Sequence, residues 1–280
     1  LLSLSYLLHD RPMQRRFRAE LRFQASLLLL QEKVPRVTVS YAHTVDVSEV
    51  KVASGETEIR YISTPDTPVP EIQLLSNGNY NVMVSNSGGG YSRWKDIAVT
   101  RWREDAIMDN WGTFCYISDV ENNITWSNTH QPTLVKAKLY EAVFSQGRAE
   151  FKRFDNNIET HTEVVVSPED DIELRRIKIT NRSRRRRTLE ITSYAEVVLN
   201  SQPADEIHPA FGNLFIQSEI QPKKYAIICT RRPRSAEQQP PWMCHMMKLK
   251  GVKYDEISYE TSRKQFIGRG NSMVLPEAVS

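Results

Sequence analysis

The chain has 280 residues, enough for one large domain or two small ones, and 40% hydrophobic with 25% charged residues is ordinary for a globular protein. With 37 basic against 34 acidic residues the net charge is only +3, which excludes a global electrostatic drive toward nucleic acid or a membrane surface. Three widely spaced cysteines, Cys115, Cys229 and Cys244, lie among aromatic or apolar neighbours and read as reduced, mostly buried thiols.

The first residues, LLSLSYLLHD, lack the basic flank and small-residue cleavage site of a signal peptide. No apolar run approaches the ~20 residues needed to span a bilayer, so the segment reads as soluble. The chain starts without methionine and ends at PEAVS, which suggests a piece of a longer protein. Residues 1–33 read as a helical segment ending a preceding domain: Asp10 can cap, Pro12 suits a first turn, and Met13, Phe17, Leu21, Ala25 and Leu28 recur at helical spacing. Arg11, Arg15, Arg18 and Arg22 line the other face, which suits water over a neighbouring domain or a membrane surface. Residues 34–64 alternate Val or Ile with polar residues and read as an extended linker leading into a first strand. Pro65, Pro68 and Pro70 then force an extended passage, and residues 65–280 read as one β domain.

From Leu74 onward short alternating stretches are separated by turn signals every eight to twelve residues. Asn77-Gly78 predicts a tight hairpin turn before the strand YNVMVS. Further strands are expected at 114–119, 124–127, 141–144, 149–154 and 159–166. Stretches 171–180 and 188–199 are expected to pair across the basic loop NRSRRRR, and 214–221, 225–230, 242–249 and 252–260 complete the series. The fold class is therefore mainly β, a large antiparallel sandwich.

The segment SGGGYSRWKDIAVTRWRED carries the most chemistry. Three glycines allow a ligand or a neighbouring chain to approach closely, but the lysine and hydroxyl of a phosphate-binding loop are missing. Tyr91, Arg93, Trp94, Trp102 and Arg103 follow. Aromatic faces stack on the CH faces of sugars and guanidinium groups donate to hydroxyls; the alternative is a loop whose aromatics fill the core. Glu104, Asp105, Asp109 and the run Glu169-Asp170-Asp171 are the candidate acid catalysts, and none is distinguished as one; the run reads as a solvated turn. The six histidines show no metal-ligand spacing. Arg182 and Arg184 to Arg187 could meet an anion, or simply be a solvated hairpin tip.

The segment TPDTPVPEIQLLSNGNYNVMVSNSGGGYSRWKDIAVTRWRED resembles the start of the N-terminal β-sandwich of the inverting disaccharide phosphorylases and cyclic β-1,2-glucan synthases. VVVSPEDDIELRRIKITNRSRRRRTLEITSYAEVVL, HPAFGNLF and YETSRKQFIGRGNS agree in order, and PMQRRFRAELRFQASLLLLQEKVPR resembles the helix entering this region in the synthase type. The resemblance implies a galactose-mutarotase-like supersandwich and a parent enzyme whose general acid lies in an (α/α)6 barrel beyond Ser280. No catalytic residue is then expected here, and no cofactor or metal; inorganic phosphate or glucose 1-phosphate would be the parent's co-substrate. Implied partners are β-glucan oligosaccharides, the (α/α)6 domain and a second copy in a homodimer, without nucleic acid. The implied place is the cytoplasmic side of a bacterial inner-membrane parent. Only a ligand-contact role passes to Tyr91, Arg93, Trp94, Trp102 and Arg103.

Overall fold

A computed structural model describes residues 59–280 apart from 106, 208, 234–238 and 280. The expected helix at 1–33 and most of the expected linker, residues 34–58, lie outside the described residues. The described part falls in one compact unit, Thr57–Ser280.

Among the described residues all strand pairing is antiparallel, in four sheets. One five-stranded sheet has the order β1-β8-β9-β10-β11, formed by Arg60–Ile62, Leu139–Ser145, Arg148–Asp155, Ile158–Val166 and Glu173–Asn181. A second has the order β13-β5-β4-β3-β2, from Val197–Ser201, Ile97–Thr100, Gly90–Trp94, Tyr80–Ser85 and Ile72–Ser76. Three-stranded sheets join β12 (Leu189–Tyr194), β6 (Phe114–Asp119) and β7 (Ile124–Ser127), and β14 (Ile216–Gln221), β15 (Ala226–Arg231) and β16 (Trp242–Met246). The described residues also hold three short α-helices, α1 (Gln202–Ile207), α2 (Pro209–Asn213) and α3 (Arg263–Ile267), and two 3-10 turns, Pro222–Lys224 and Glu277–Val279.

The two five-stranded sheets face each other through Leu75, Val82 and Val84 on one side and Ala142, Phe144, Phe151 and Val164 on the other, all buried. Alternation explains this: in β9 Ala149, Phe151, Arg153 and Asp155 point inward while Glu150 and Lys152 face out. The other end of the second sheet meets β14–β16 through Val99, Leu199 and Cys229. β6 is buried along its whole length. Its Phe114 and Tyr116 pack under Phe266 and Ile267 of α3, and its Ile117 packs with Trp126 and Ile158. Cys115 and Cys229 are buried free thiols, whereas Cys244 is exposed.

Three expectations are corrected. The strands on either side of the basic loop do not form a hairpin: β11 pairs with β10 over its nine residues, and β12 pairs with β6 in another sheet. The loop is therefore a crossover, tied at its ends by Arg182 to Glu159 at 2.7 Å and by Arg187 to the buried Asp119. The stretch 188–199 is also two strands, because β12 ends at Tyr194 and β13 begins at Val197. Residues 252–260 form no strand; the alternation VKYDEISYE is there, but no neighbouring strand pairs with it.

Candidate functional site

Strand β4 turns into β5 through Lys95 and Asp96, Lys95 adopting φ 50°. The two-residue period places Tyr91 and Arg93 on the outer face of the second sheet, opposite Met83 and Asn81 of β3. It places Ser92 and Trp94 on the inner face. Trp94 accordingly packs in the Val99–Leu199–Cys229 cluster, donates its Nε1 hydrogen to Asp171 Oδ2 at 2.6 Å, and carries Lys95 Nζ 4.5 Å above its ring. Of the five residues singled out in the sequence, Trp94 does not join the others.

The remaining four come together. After β5 the chain bends back so that the Trp102 ring meets Tyr91 edge-on, centroids 5.5 Å apart and 68° between planes. The Arg93 guanidinium lies 5.9 Å above the Tyr91 ring. Tyr91 and Arg93 form a ridge between two depressions. On one side, a narrow cleft lined by Trp102, Arg103, Gln202 and Asp205 leaves about 10 Å³, room for about one water. On the other, an open groove of about 350 Å³ is lined by Leu74, Ser76, Asn81 and Lys95, within the ~300–1,000 Å³ span of small-molecule sites. An aromatic edge with a guanidinium beside it can stack a flat apolar face and donate to oxygen atoms.

What holds this ridge is a cage the sequence did not disclose. Arg101, 6% exposed, donates to Asp205 Oδ2 at 3.1 Å and Oδ1 at 2.8 Å, to Asn213 Oδ1 at 2.7 Å and Pro209 O at 3.1 Å, and to Glu196 Oε1. Arg103 donates to Asp205 Oδ2 at 2.7 Å, to Asp205 O at 2.9 Å and to Trp102 O at 2.9 Å. Burial pushes the Asp205 carboxyl up, but hydrogen bonds from Arg101 and Arg103, with their charges, outweigh it and hold the group below its ordinary range. Burial would lower Arg101, yet Asp205 and Glu196 hold it above its usual value. Arg103 is thus an anchor with its donors engaged. Asp205, Glu196 and Asn213 were missed because a buried arginine demands a carboxylate but no sequence signal says which; Asp205 lies 104 residues from Arg101.

The triple glycine lets neighbouring segments of the same chain approach closely, Thr129 at Gly88, Asp109 at Gly89 and Met83 at Gly90. A Cβ at Gly90, whose φ is +149°, would stand 1.9 Å from the Met83 carbonyl oxygen. The acidic candidates also have structural partners. Asp105 Oδ1 accepts the amides of Ile107 and Met108 at 3.0 Å each. Asp109 Oδ2 accepts the hydroxyls of Ser85 and Ser87, both at 2.5 Å. Burial raises the Asp109 carboxyl, the Asp105 charge adds to this, and the two serines oppose it. Elsewhere, Glu150, His161 and Glu163 bring ligand atoms within 4.8 Å of one another, but Arg148 pairs with Glu150 at 3.0 Å and Arg176 pairs with Glu163.

Residues 55–280 match the model of the glycosyl hydrolase 94 supersandwich domain. The chain belongs to this family. As a glycosyl hydrolase 94 supersandwich it is 32% identical over 260 residues to the cyclic beta-(1,2)-glucan synthase NdvB of Rhizobium meliloti (strain 1021), covering 92% of this chain and 9% of that protein. It is 28% identical over 140 residues to an N,N'-diacetylchitobiose phosphorylase of Vibrio proteolyticus, covering 48% of this chain and 18% of the relative. A 3-O-beta-D-glucopyranosyl-beta-D-glucuronide phosphorylase of Paenibacillus borealis is 27% identical over 130 residues, 46% of this chain and 16% of that one. The chain thus spans less than a fifth of the length of each. The mainly β, antiparallel supersandwich expected from the sequence agrees with both the family and the fold. No helix among the described residues is long and apolar enough to cross a membrane.

Proposed function

We propose that this supersandwich is the non-catalytic, carbohydrate-handling part of a larger enzyme that builds or phosphorolyses β-glucans, and that the Tyr91–Arg93–Trp102 ridge contacts the glucan. The observation that carries the proposal is the 32% identity to a cyclic β-(1,2)-glucan synthase along 92% of the chain. The ridge supports it with an aromatic pair and an unshared guanidinium beside an open groove. In this reading the bond-breaking carboxyl belongs to an (α/α)6 domain of the same parent. Inorganic phosphate or glucose 1-phosphate is the parent's co-substrate, the parent pairs as a homodimer, and the region works on the cytoplasmic side; these points rest on the family resemblance alone.

Calorimetric titration of the chain with sophorose and longer β-1,2-glucan oligosaccharides tests the contact. Trp102→Ala and Tyr91→Ala are each expected to weaken binding about three- to tenfold, the ~0.5–1.5 kcal/mol of one aromatic contact. Phosphate release from glucose 1-phosphate and sophorose is expected to be absent with this chain and present with the full-length parent. Release by the chain alone would overturn the non-catalytic reading, and a parent inert on every β-glucan would overturn the substrate. A purely framing or dimerisation role is the second reading, favoured by the engagement of Arg103 with Asp205 and of Trp94 with Asp171; absence of heat with any glucan would leave that role.

A further inference from the structure

The charge on the groove side of the ridge is unbalanced. Arg101, Arg103, Arg153, Arg175 and Arg187 each have a carboxylate within salt-bridge distance. Arg93, on β4 and partly buried, has none among the described residues. Its Nε is shut off from solvent without a hydrogen-bond partner, and its guanidinium lies over the Tyr91 ring. Half-buried guanidinium groups are ordinarily hydrogen-bonded, since a donor left unmade costs free energy. The second cation of the groove, Lys95, rests on the Trp94 ring and also lacks a carboxylate partner among the described residues. Among the described residues no acidic side chain lines the groove, and Asp96 on the adjoining turn forms no ion pair with either cation. Around the two cations stand Leu74, 63% exposed, and Asn81, whose Oδ1 accepts the Ser76 hydroxyl at 2.6 Å.

We infer that this groove is an anion-selective saccharide subsite, taking a sugar that bears an oxyacid group, phosphate or carboxylate, with the oxyanion at Arg93 and Lys95 and the ring against Tyr91 and Leu74. A guanidinium fork matches the two oxygens of either group, and a low-acid, partly apolar wall strengthens the attraction. The inference rests on the carbohydrate-contact reading above and adds the charge of the ligand to it.

The test is an NMR titration of the whole chain with glucose, glucose 6-phosphate, glucuronate and inorganic phosphate, following the Arg93 Nε–H signal, identified by its loss in Arg93→Met. Glucose 6-phosphate and glucuronate are expected to move that signal and to bind at least tenfold more tightly than glucose. The preference is expected to shrink in 0.5 M salt and to vanish in Arg93→Met. Lys95→Met, at an exposed hairpin tip, is expected to cut it about threefold without disturbing the fold, and Arg93→Lys to keep part of it. Equal affinities for charged and neutral sugars would overturn this inference while leaving the contact reading standing. Inorganic phosphate binding as tightly as glucose 6-phosphate would overturn the saccharide part. If no sugar, charged or neutral, moves the signals of the groove, the contact reading fails as well.

Discussion

Asp205 does the work of two counter-ions, since both of its oxygens are claimed by arginines and only 2% of the residue is exposed. Replacing it with asparagine removes a charge that two guanidinium groups were buried against, and the expected cost is about 3 kcal/mol. Its carboxyl is held below its ordinary value in the fold, so the stabilisation is complete above the unfolded value of about 4 and is lost as pH falls through the lower folded value. The gap in urea midpoint between the wild type and Asp205→Asn should therefore be widest at pH 7 and narrow below pH 4. Asp109 works with the opposite sign. Burial holds its carboxyl above the ordinary value, so the charged form is penalised in the fold and stability rises as pH falls through that value. Asp109→Asn is expected to be at least as stable as the wild type at pH 7 in thermal melts, and to lose that advantage by about pH 4. At this scale the sequence disclosed the donors, because arginines and aromatics clustered in one segment are conspicuous. It hid the acceptors, because Glu196, Asp205 and Asn213 stand in unremarkable surroundings and become partners only through the pairing of β13 with β5.

Strands were legible wherever polar and apolar residues alternate beside a strong turn signal, as in β9 and β10 around the Asn156–Asn157 turn. Pairing was not. Nothing in β11, whose inward row runs Glu173, Arg175, Ile177, Ile179, announces that its partner lies before it rather than after. Trp94 parts from Tyr91 and Arg93 for a related reason: composition names the residues of a loop, but only strand phase says which face each takes. Two glycines separate turn chemistry from packing. Gly78, with φ +96°, has nothing near its missing Cβ, whereas Gly90 abuts the Met83 carbonyl oxygen. Gly78→Ala is expected to cost about 1 kcal/mol from backbone conformation alone. Gly90→Ala should cost clearly more, because β3 and β4 must separate; chemical denaturation of the two variants side by side checks the order. Phe151, fully buried between the five-stranded sheets, should lose about 3–5 kcal/mol as Phe151→Ala by the same measurement.

For the molecule as a whole, the family match begins at residue 55 and a compact unit begins at Thr57. A chain starting at Thr57 is expected to unfold in a single cooperative transition with a midpoint within about 2 °C of the 280-residue chain, and scanning calorimetry decides it. The arginine cage has a consequence for how such a domain is made. Arg101 draws on Glu196, Asp205, Pro209 and Asn213, groups translated roughly a hundred residues later. As the chain leaves the ribosome, β2 to β5 can pair early, but their outer ridge stays unbraced until α2 has emerged. A nascent chain stalled before residue 213 would carry Arg101 and Arg103 without the lock that holds them, so this outer ridge is a late feature of the domain to mature.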